Sequence, residues 1–449
     1  MARDFDLIVV GGGSGGLAGA FRAAEYGASV AIIEADALGG TCVNLGCVPK
    51  KAMWLAADLA ARLRTAEALG FGAASATLDW PTFIAHRQRY IQGIHAAYRR
   101  RLDASGIALL PCRARFTGPR RLVTNDGVEL GARHVLIATG GAAVRPPVPG
   151  AELGGTSDDF FQWTQAPERV AIIGGGYIGI ELAGVLQSLG GRVDLLVRGP
   201  RLLDGFEPEI TELLAQDYAH LGVRVRLDTP ITALERADDQ IRVHTAHGLD
   251  DDAFDAVLFA TGRRPNTAGL GLEHAGVALA PSGHIAVDAL HATSADGVHA
   301  VGDVTPDIAL TPVAIAAARR LMDRLFGGRS DNALDLDQVP TAVFSHPPMG
   351  KVGMTEAQAR LQFGDDVHVM RAQFRPMLHA LADTPQRSLF KLVCVGTERR
   401  VVGLHLIGEG ADEILQGFAV AIRRGITADD LRDTVAIHPT SAEEIVLMR

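Results

Sequence analysis

Short, unbroken apolar runs closed by glycine dominate the first two thirds of the chain. DLIVV (6–10) reads as a buried parallel strand, because a strand covered on both faces loses the alternation of a half-exposed one. GGGSGG follows, and then an alanine-rich stretch, Leu17 to Tyr26, of helical character. SVAIIE (29–34) predicts a second strand. Residues 51–69 and 80–104 predict helices, and HVLIATGG (134–141) predicts a strand ending in a glycine turn. From residue 170 the plan repeats. VAIIGGGYIG renews the strand and glycine turn, IELAGVLQSLG the helix, RVDLLVR the second strand, and AVLFATGR (256–263) echoes HVLIATGG. GVHAVGD (297–303) is a further strand-to-turn element.

From about residue 337 the texture changes. VPTAVFS, VHVMRAQF, LFKLVCV and VVGLHLIG read as strands mixed with helices at 355–363 and 411–424, a separate α+β domain. RPPVPG (145–150) is a plausible linker between the two repeated units. The fold expected is α/β, with two Rossmann-like dinucleotide-binding domains and a C-terminal α+β domain. The boundaries expected are 1–141, 142–265, 266–336 (completing the first domain) and 337–449.

Composition narrows the function. At 449 residues and 47% apolar content the chain can bury a sizeable core, and its 51 glycines show no collagen-like period. A net charge of −9, from 43 basic and 52 acidic residues, argues against general nucleic-acid binding, so an anionic ligand needs a local basic site. The N-terminus shows no signal-peptide pattern, and no run approaches about 18 apolar residues; a cytoplasmic protein is expected. There thiols stay reduced, which disfavours a structural disulfide among the four cysteines.

Gly11, Gly13 and Gly16 form G-x-G-x-x-G between a strand and a helix, the turn that brings backbone N–H groups onto a pyrophosphate. Gly15 lies within it, and Glu34, 18 residues after Gly16, is placed to bond a ribose hydroxyl. The second copy has Gly174, Gly176 and Gly179, with Tyr177 and Ile178 between. At the corresponding distance stand Val197 and Arg198, so a cation takes the acid's place and favours a 2′-phosphate, hence NADP over NAD. One acid-read and one base-read site suggest FAD together with NADPH.

Cys42 and Cys47 lie five residues apart in GGTCVNLGCVPKK (39–51). On a regular helix that step rises roughly 7.5 Å and turns the side chains apart, so a bridge needs an irregular turn. Gly46 supplies backbone freedom, and Pro49 cannot donate to the carbonyl of Leu45. A zinc clip would need about four ligands, and no second pair with suitable spacing exists; no metal centre is expected. The spacing favours a redox pair, with Cys112 and Cys394 as buried or incidental thiols.

These motifs, with VHAVGD and HPTSAEE (438–444), resemble the class I pyridine nucleotide–disulfide oxidoreductase family across essentially the whole chain. Lys50 and Lys51 after the motif proline, TPVAIAAARR (311–320) and the C-terminal VAIHPTSAEEIVLMR lean towards the branch that reduces oxidised glutathione. The resemblance implies that electrons pass from NADPH through FAD to a Cys42–Cys47 bridge. Cys47 is then the flavin-side thiol and Cys42 the interchange thiol that attacks the substrate disulfide. His438 matches the acid–base, with Glu443 orienting its ring, although Thr440-x-x-Glu443 also fits a capping box. Lys50 and Glu181 match a pair beside the flavin ring, and Tyr177 an aromatic covering the nicotinamide site. Ser14, Thr41, Thr139, Gly140, Gly262, Arg263, Asp303, Leu310 and Thr311 match further cofactor contacts. Ser14, Tyr98 and Arg319 match substrate contacts. In the family the C-terminal domain forms a homodimer and lends the histidine to the partner.

The sequence departs from the pattern at three places. A second arginine usual in NADPH sites is replaced by Asp204, with Arg201 as a substitute or a solvent-facing residue. Gly179 stands where NADPH-preferring members often carry alanine. Phe21 stands where a polar or basic substrate contact is usual, which would suit a less anionic disulfide such as that of glutathione amide. The run Arg99–Arg100–Arg101 beside Tyr98 either compensates or is a solvated helix face. Alternatives are therefore a related disulfide, that of glutathione amide or a trypanothione-like one, with NADH, or dihydrolipoyl dehydrogenase; Arg198 opposes the latter.

Overall fold

Strand β1 (Arg3–Val10) sits between two parallel neighbours, β2 (Val30–Ile33) and the strand Glu129–Ile137, so it has no free edge. Leu7 and Val9 point into one core with Ile32 and Leu136, and Ile8 and Val10 into another with Ile33 and Ile137. Both faces are covered, which is why DLIVV carries no alternation. Replacing Ile32 with alanine would cost about 2–5 kcal/mol.

The computed structural model describes residues 3–72, 77–330 and 333–449. They divide into two compact units. The first holds residues 1–50, 81–144 and 262–335. Its main sheet runs Ala108–Leu110, β2, β1, Glu129–Ile137, Arg121–Thr124, Ala114–Gly118, and Val298–Ala300 also pairs with Glu129–Ile137. Helix α1 (Ser14–Glu25) packs on this sheet beside the helix Thr311–Leu325. Small residues permit the close approach: a Cβ at Gly19 would lie 2.7 Å from the Leu136 side chain, and one at Gly15 3.4 Å from Ala314.

The second unit holds residues 51–80, 145–261 and 336–449. It contains a parallel sheet in the order Arg224–Arg226, Arg192–Leu196, Arg169–Ile173, Ala256–Phe259, Gly155–Thr156, and a three-stranded antiparallel meander over 231–254. A five-stranded antiparallel sheet follows, with Ser388–Val395 buried along its whole length and the helix Ala411–Arg423 packed over it. Lys391 within that strand is 2% exposed and bonds Glu207 (2.7 Å), Glu209 (2.8 Å) and Glu356 (2.9 Å).

The expected helices appear as α3 (Cys47–Ala68) and α4 (Trp80–Ala104), which follow the short α2 (Gly40–Asn44). The meander, the strands over 108–124 and the helices Pro208–Leu221 and Thr311–Leu325 are additions to the sequence-based expectation. Among the described residues no helix is long and apolar enough to cross a membrane.

Candidate active site

The two cysteines meet where one helix stops and another starts. Helix α2 ends at Leu45 (φ −138°, ψ 26°), and α3 begins at Cys47. A Cβ at Gly46 would stand 2.9 Å from the carbonyl oxygen of Thr41, so the break closes tightly only with glycine there. The helical ladder resumes when Lys50 N–H donates to the Gly46 carbonyl at 2.9 Å. This is the irregular turn that the i, i+5 spacing requires. Asn44 holds it in place: its amide donates to the carbonyls of Ala37, Leu38 and Gly40, and its oxygen meets His95 Nε2 at 2.8 Å.

Both cysteines are free thiols, Cys42 half-buried and Cys47 exposed. The hydrogen bond between them is the main reason the Cys42 pKa is raised, and burial adds to it; the hydroxyls of Thr311 and Ser14 act the other way. Cys47 Sγ lies 3.6 Å from Thr311 Oγ1.

Cys42 opens into a cavity of about 460 Å³, inside the range of small-molecule sites. Three helices line it, each with one stripe of residues spaced three or four apart. Helix α1 contributes Ser14, Ala18, Phe21, Arg22 and Glu25. The helix Thr311–Leu325 contributes Thr311, Ile315, Arg319 and Asp323, and α4 contributes Ile94, Tyr98 and Arg101. The expected substrate contacts Ser14, Tyr98 and Arg319 therefore share one pocket with Cys42. Arg101 joins them, alone of the run Arg99–Arg100–Arg101 that the sequence offered as a compensating cation; Arg22 and Asp323 join without having been singled out, and only the helical spacing hinted at them.

The first glycine turn lies in the same unit. A Cβ at Gly16 would be 1.9 Å from the carbonyl oxygen of Gly11, and one at Gly11 2.4 Å from that of Ala138. Gly13 borders open space, approached only by Gly40 of the redox loop. Helix α1 starts there with no side-chain cap and no acid in its first turn, so its free N–H groups suit a pyrophosphate. Glu34 is fixed at the turn by accepting from Gly12 N–H at 2.7 Å. Arg263 Nη2 donates to Thr41 Oγ1 at 3.5 Å, and its Nε lies 3.9 Å from Asp303. The Thr139 hydroxyl donates to the Asn266 carbonyl at 2.8 Å. Gly140 and Gly262 both take positive φ (66° and 123°), and Leu310 caps the helix that starts at Thr311. The cradle fits a dinucleotide with an unphosphorylated ribose, as FAD has.

The second turn, in the second unit, repeats the construction. A Cβ at Gly179 would be 2.1 Å from the Gly174 carbonyl oxygen, while Gly176 borders open space. The helix Tyr177–Ser188 likewise lacks a side-chain cap and a first-turn acid. Arg198 and Arg201 are exposed. Leu203 N–H donates to the Gly175 carbonyl at 2.9 Å, drawing the 201–204 loop back to the turn. The donor set fits a dinucleotide bearing an extra phosphate, as NADPH does. Tyr177 is exposed at the helix start and Ile178 follows it. Glu181, one turn on, is buried and accepts from Phe344 N–H at 2.9 Å. Its expected companion Lys50 lies half-buried in the first unit.

His438 Nδ1 lies 3.0 Å from both carboxylate oxygens of Glu443. Thr440 N–H donates to the same carboxylate at 3.1 Å, and Glu443 N–H to the Thr440 hydroxyl at 3.3 Å. The capping box and the histidine-orienting acid are one arrangement. The His438 bond, ahead of the Thr440 N–H, holds the Glu443 carboxyl below its usual range. The His438 side chain is 79% exposed.

Comparison with known proteins agrees along the whole length. Residues 5–318 match the pyridine nucleotide-disulphide oxidoreductase model, and residues 339–449 match the dimerisation domain of the same family. The chain is also 42% identical over 461 aligned positions to a glutathione reductase of Schizosaccharomyces pombe, covering 100% of this chain and 99% of the relative. With two glycine turns, a paired-cysteine break and a histidine–glutamate pair in place, this chain belongs to the pyridine nucleotide–disulphide oxidoreductase family.

Proposed function

We propose that the protein reduces oxidised glutathione to two molecules of glutathione with electrons from NADPH, using FAD and the Cys42–Cys47 pair. The observation that carries this reading is the position of Cys42: it opens into the substrate-sized pocket, and Cys47 does not line it. The full-length likeness to a glutathione reductase supports it.

When bound, FAD and NADPH would supply the two electrons needed to open the Cys42–Cys47 bridge. Gly11, Gly13, Gly16 and Glu34 would hold the first cofactor, and Gly174, Gly176, Gly179, Arg198 and Arg201 the second. In the dithiol form Cys42 loses its proton and attacks one sulfur of the substrate disulfide. The attack breaks the S–S bond, leaves one glutathione thiolate and forms a mixed disulfide. The raised Cys42 pKa means that this proton needs an acceptor. His438, oriented through Nδ1 by Glu443, takes it and returns it to the leaving thiolate. Cys47 then gives up its own proton and attacks Cys42 Sγ, the second glutathione thiolate leaves and takes up that proton, and the bridge is restored.

The protein acts as a homodimer through its dimerisation domain. Exposed apolar residues beside the histidine, Val435 (91%) and Ile437 (76%), favour burial against another subunit. In this reading His438 serves the cysteine pair of the partner. Domain boundaries at 141, 265 and 336 separate the FAD-binding, NADPH-binding, central and dimerisation parts. We place the reaction in the cytoplasm, where free thiols such as those of Cys112 and Cys394 stay reduced. The two exposed arginines beside the second turn favour NADPH over NADH, and hence over a dihydrolipoyl dehydrogenase.

The purified protein is expected to be yellow and to turn NADPH over repeatedly only when oxidised glutathione is added. Cys42→Ser keeps the colour and NADPH-driven bleaching of the flavin but loses disulfide turnover. Undiminished turnover in that variant would overturn the mechanism.

A further inference from the structure

We propose that Arg101, laid over the ring of Phe21, recognises a free carboxylate of the disulfide substrate, and that this pair sets a preference for glutathione disulfide over its amidated counterpart. The inference rests on the functional reading above and adds its specificity element.

Position 21 lacks the polar or basic group that the family resemblance leads one to expect, and the structure supplies a cation from another helix. The Phe21 residue is 5% exposed, so its ring is core and offers the pocket no hydrogen bond. The guanidinium carbon of Arg101 sits 4.0 Å from the centre of that ring. A guanidinium held over an aromatic face keeps its N–H groups for a planar carboxylate, since the ring accepts no conventional hydrogen bond from them. Of the three consecutive arginines in α4, only Arg101 shares the stripe of Ile94 and Tyr98 and lines the cavity. The run is neither a mere solvated face nor a triple binding patch.

The other cations separate by their partners. Arg22 is committed in all three directions: to Asp323 at 2.5 Å, to Glu25 at 2.9 Å and to the Tyr26 hydroxyl at 2.9 Å. It ties α1 to the helix Thr311–Leu325 and has little left for a ligand. Arg101 has a looser hold on Glu25, at 3.6 Å, with both side chains about half exposed (53% and 51%). An exposed pair of that kind is weak, so a substrate carboxylate displaces it readily. Arg319 is exposed on the facing helix with no ion pair among the described residues. The pocket therefore presents two usable guanidiniums, from α4 and from the helix Thr311–Leu325, to a ligand with several carboxylates. Amidation removes the charge that Arg101 reads.

Steady-state kinetics of the holoenzyme at saturating NADPH, with glutathione disulfide and glutathione amide disulfide in parallel, test this. Arg101→Gln should raise KM for glutathione disulfide roughly tenfold or more. It should leave kcat and the KM for the amide disulfide within about threefold, so that the wild-type preference collapses. Arg101→Lys keeps the charge without the planar guanidinium and should fall between. Phe21→Leu should weaken KM for glutathione disulfide in the same selective way, because Phe21 acts only by positioning Arg101. An active wild type whose Arg101→Gln variant keeps its KM, or loses affinity equally for both substrates, overturns this inference alone. A wild type that turns over neither disulfide while NADPH still bleaches its flavin overturns the functional reading and this inference with it.

Discussion

Around residue 13 and again around residue 176 the chain makes the same turn. In each, the third glycine of the motif lies against the carbonyl of the first, with room for a Cβ only 1.9 Å (Gly16) or 2.1 Å (Gly179) from that oxygen. In each, the unnamed glycine inside the motif packs against the residue that ends the second strand. A Cβ at Gly12 would meet the Glu34 side chain at 3.0 Å, and one at Gly175 the Val197 side chain at 2.6 Å. The glycines answer to the backbone, and the choice of dinucleotide rests on the position facing them. There the first turn presents a carboxylate and the second an apolar side chain followed by Arg198. At position 179 an alanine would require the turn to open away from the Gly174 carbonyl, a shift that glycine does not need.

The comparison breaks most visibly at the third glycines. Gly16→Ala should yield a protein that purifies without yellow colour. Gly179→Ala should stay yellow and change only the KM values for the nicotinamide coenzymes, because the shift it requires is confined to the second turn. Absorbance spectra read the first variant and steady-state kinetics the second; a yellow Gly16→Ala protein would show that the first turn tolerates a Cβ.

Next in size is the charge reading. Arg198→Gln should raise KM for NADPH roughly 10- to 100-fold, since hydrogen bonds to charged groups contribute about 1.5–3 kcal/mol, with KM for NADH nearly unchanged. Equal losses for both coenzymes would mean that Arg198 does not read the phosphate. Arg201→Ala, which removes an exposed side chain, should cost NADPH only about two- to threefold.

A smaller effect separates the second region from the first by pH. Asp217, on the helix Pro208–Leu221, has an unpaired buried oxygen, and burial pushes its pKa up to about 7. The folded protein thus holds this proton more tightly than the unfolded chain. Its penalty is absent below the ordinary carboxylate range, grows as pH rises from about 4 to 7, and is constant above. Asp217→Asn should therefore raise the thermal midpoint by a few degrees at pH 8 and leave it unchanged at pH 4. Scanning calorimetry at the two pH values checks the sign.

Legibility followed the range of the interaction. Strands such as DLIVV and VAII were readable because burial on both faces leaves its mark within five residues. The meander over 231–254 was not, because its strands are short, half-exposed and rich in charge. The cysteine break was readable from Gly46 and Pro49, whose effects are confined to their own backbone. Asn44 escaped notice, since its three carbonyl partners and His95 come together only when the loop closes. Both roles of Glu443 were legible as alternatives, the bond to Thr440 from spacing and the orienting of His438 from the family resemblance; the structure shows one carboxylate making both contacts.

By itself the sequence determined two glycine turns, an acid and a base to tell their ligands apart, and a cysteine pair that no regular helix can join. Each is a property of neighbours along the chain. Tertiary structure decided which cysteine faces the pocket and which of the cations inside it remain uncommitted. Arg22 is neutralised by Asp323, 301 residues away, and Arg101 rests on Phe21, 80 positions earlier. Such pairings arise only when three helices from distant parts of the chain turn their stripes towards one cavity, and a charge acquires its role from what has packed beside it.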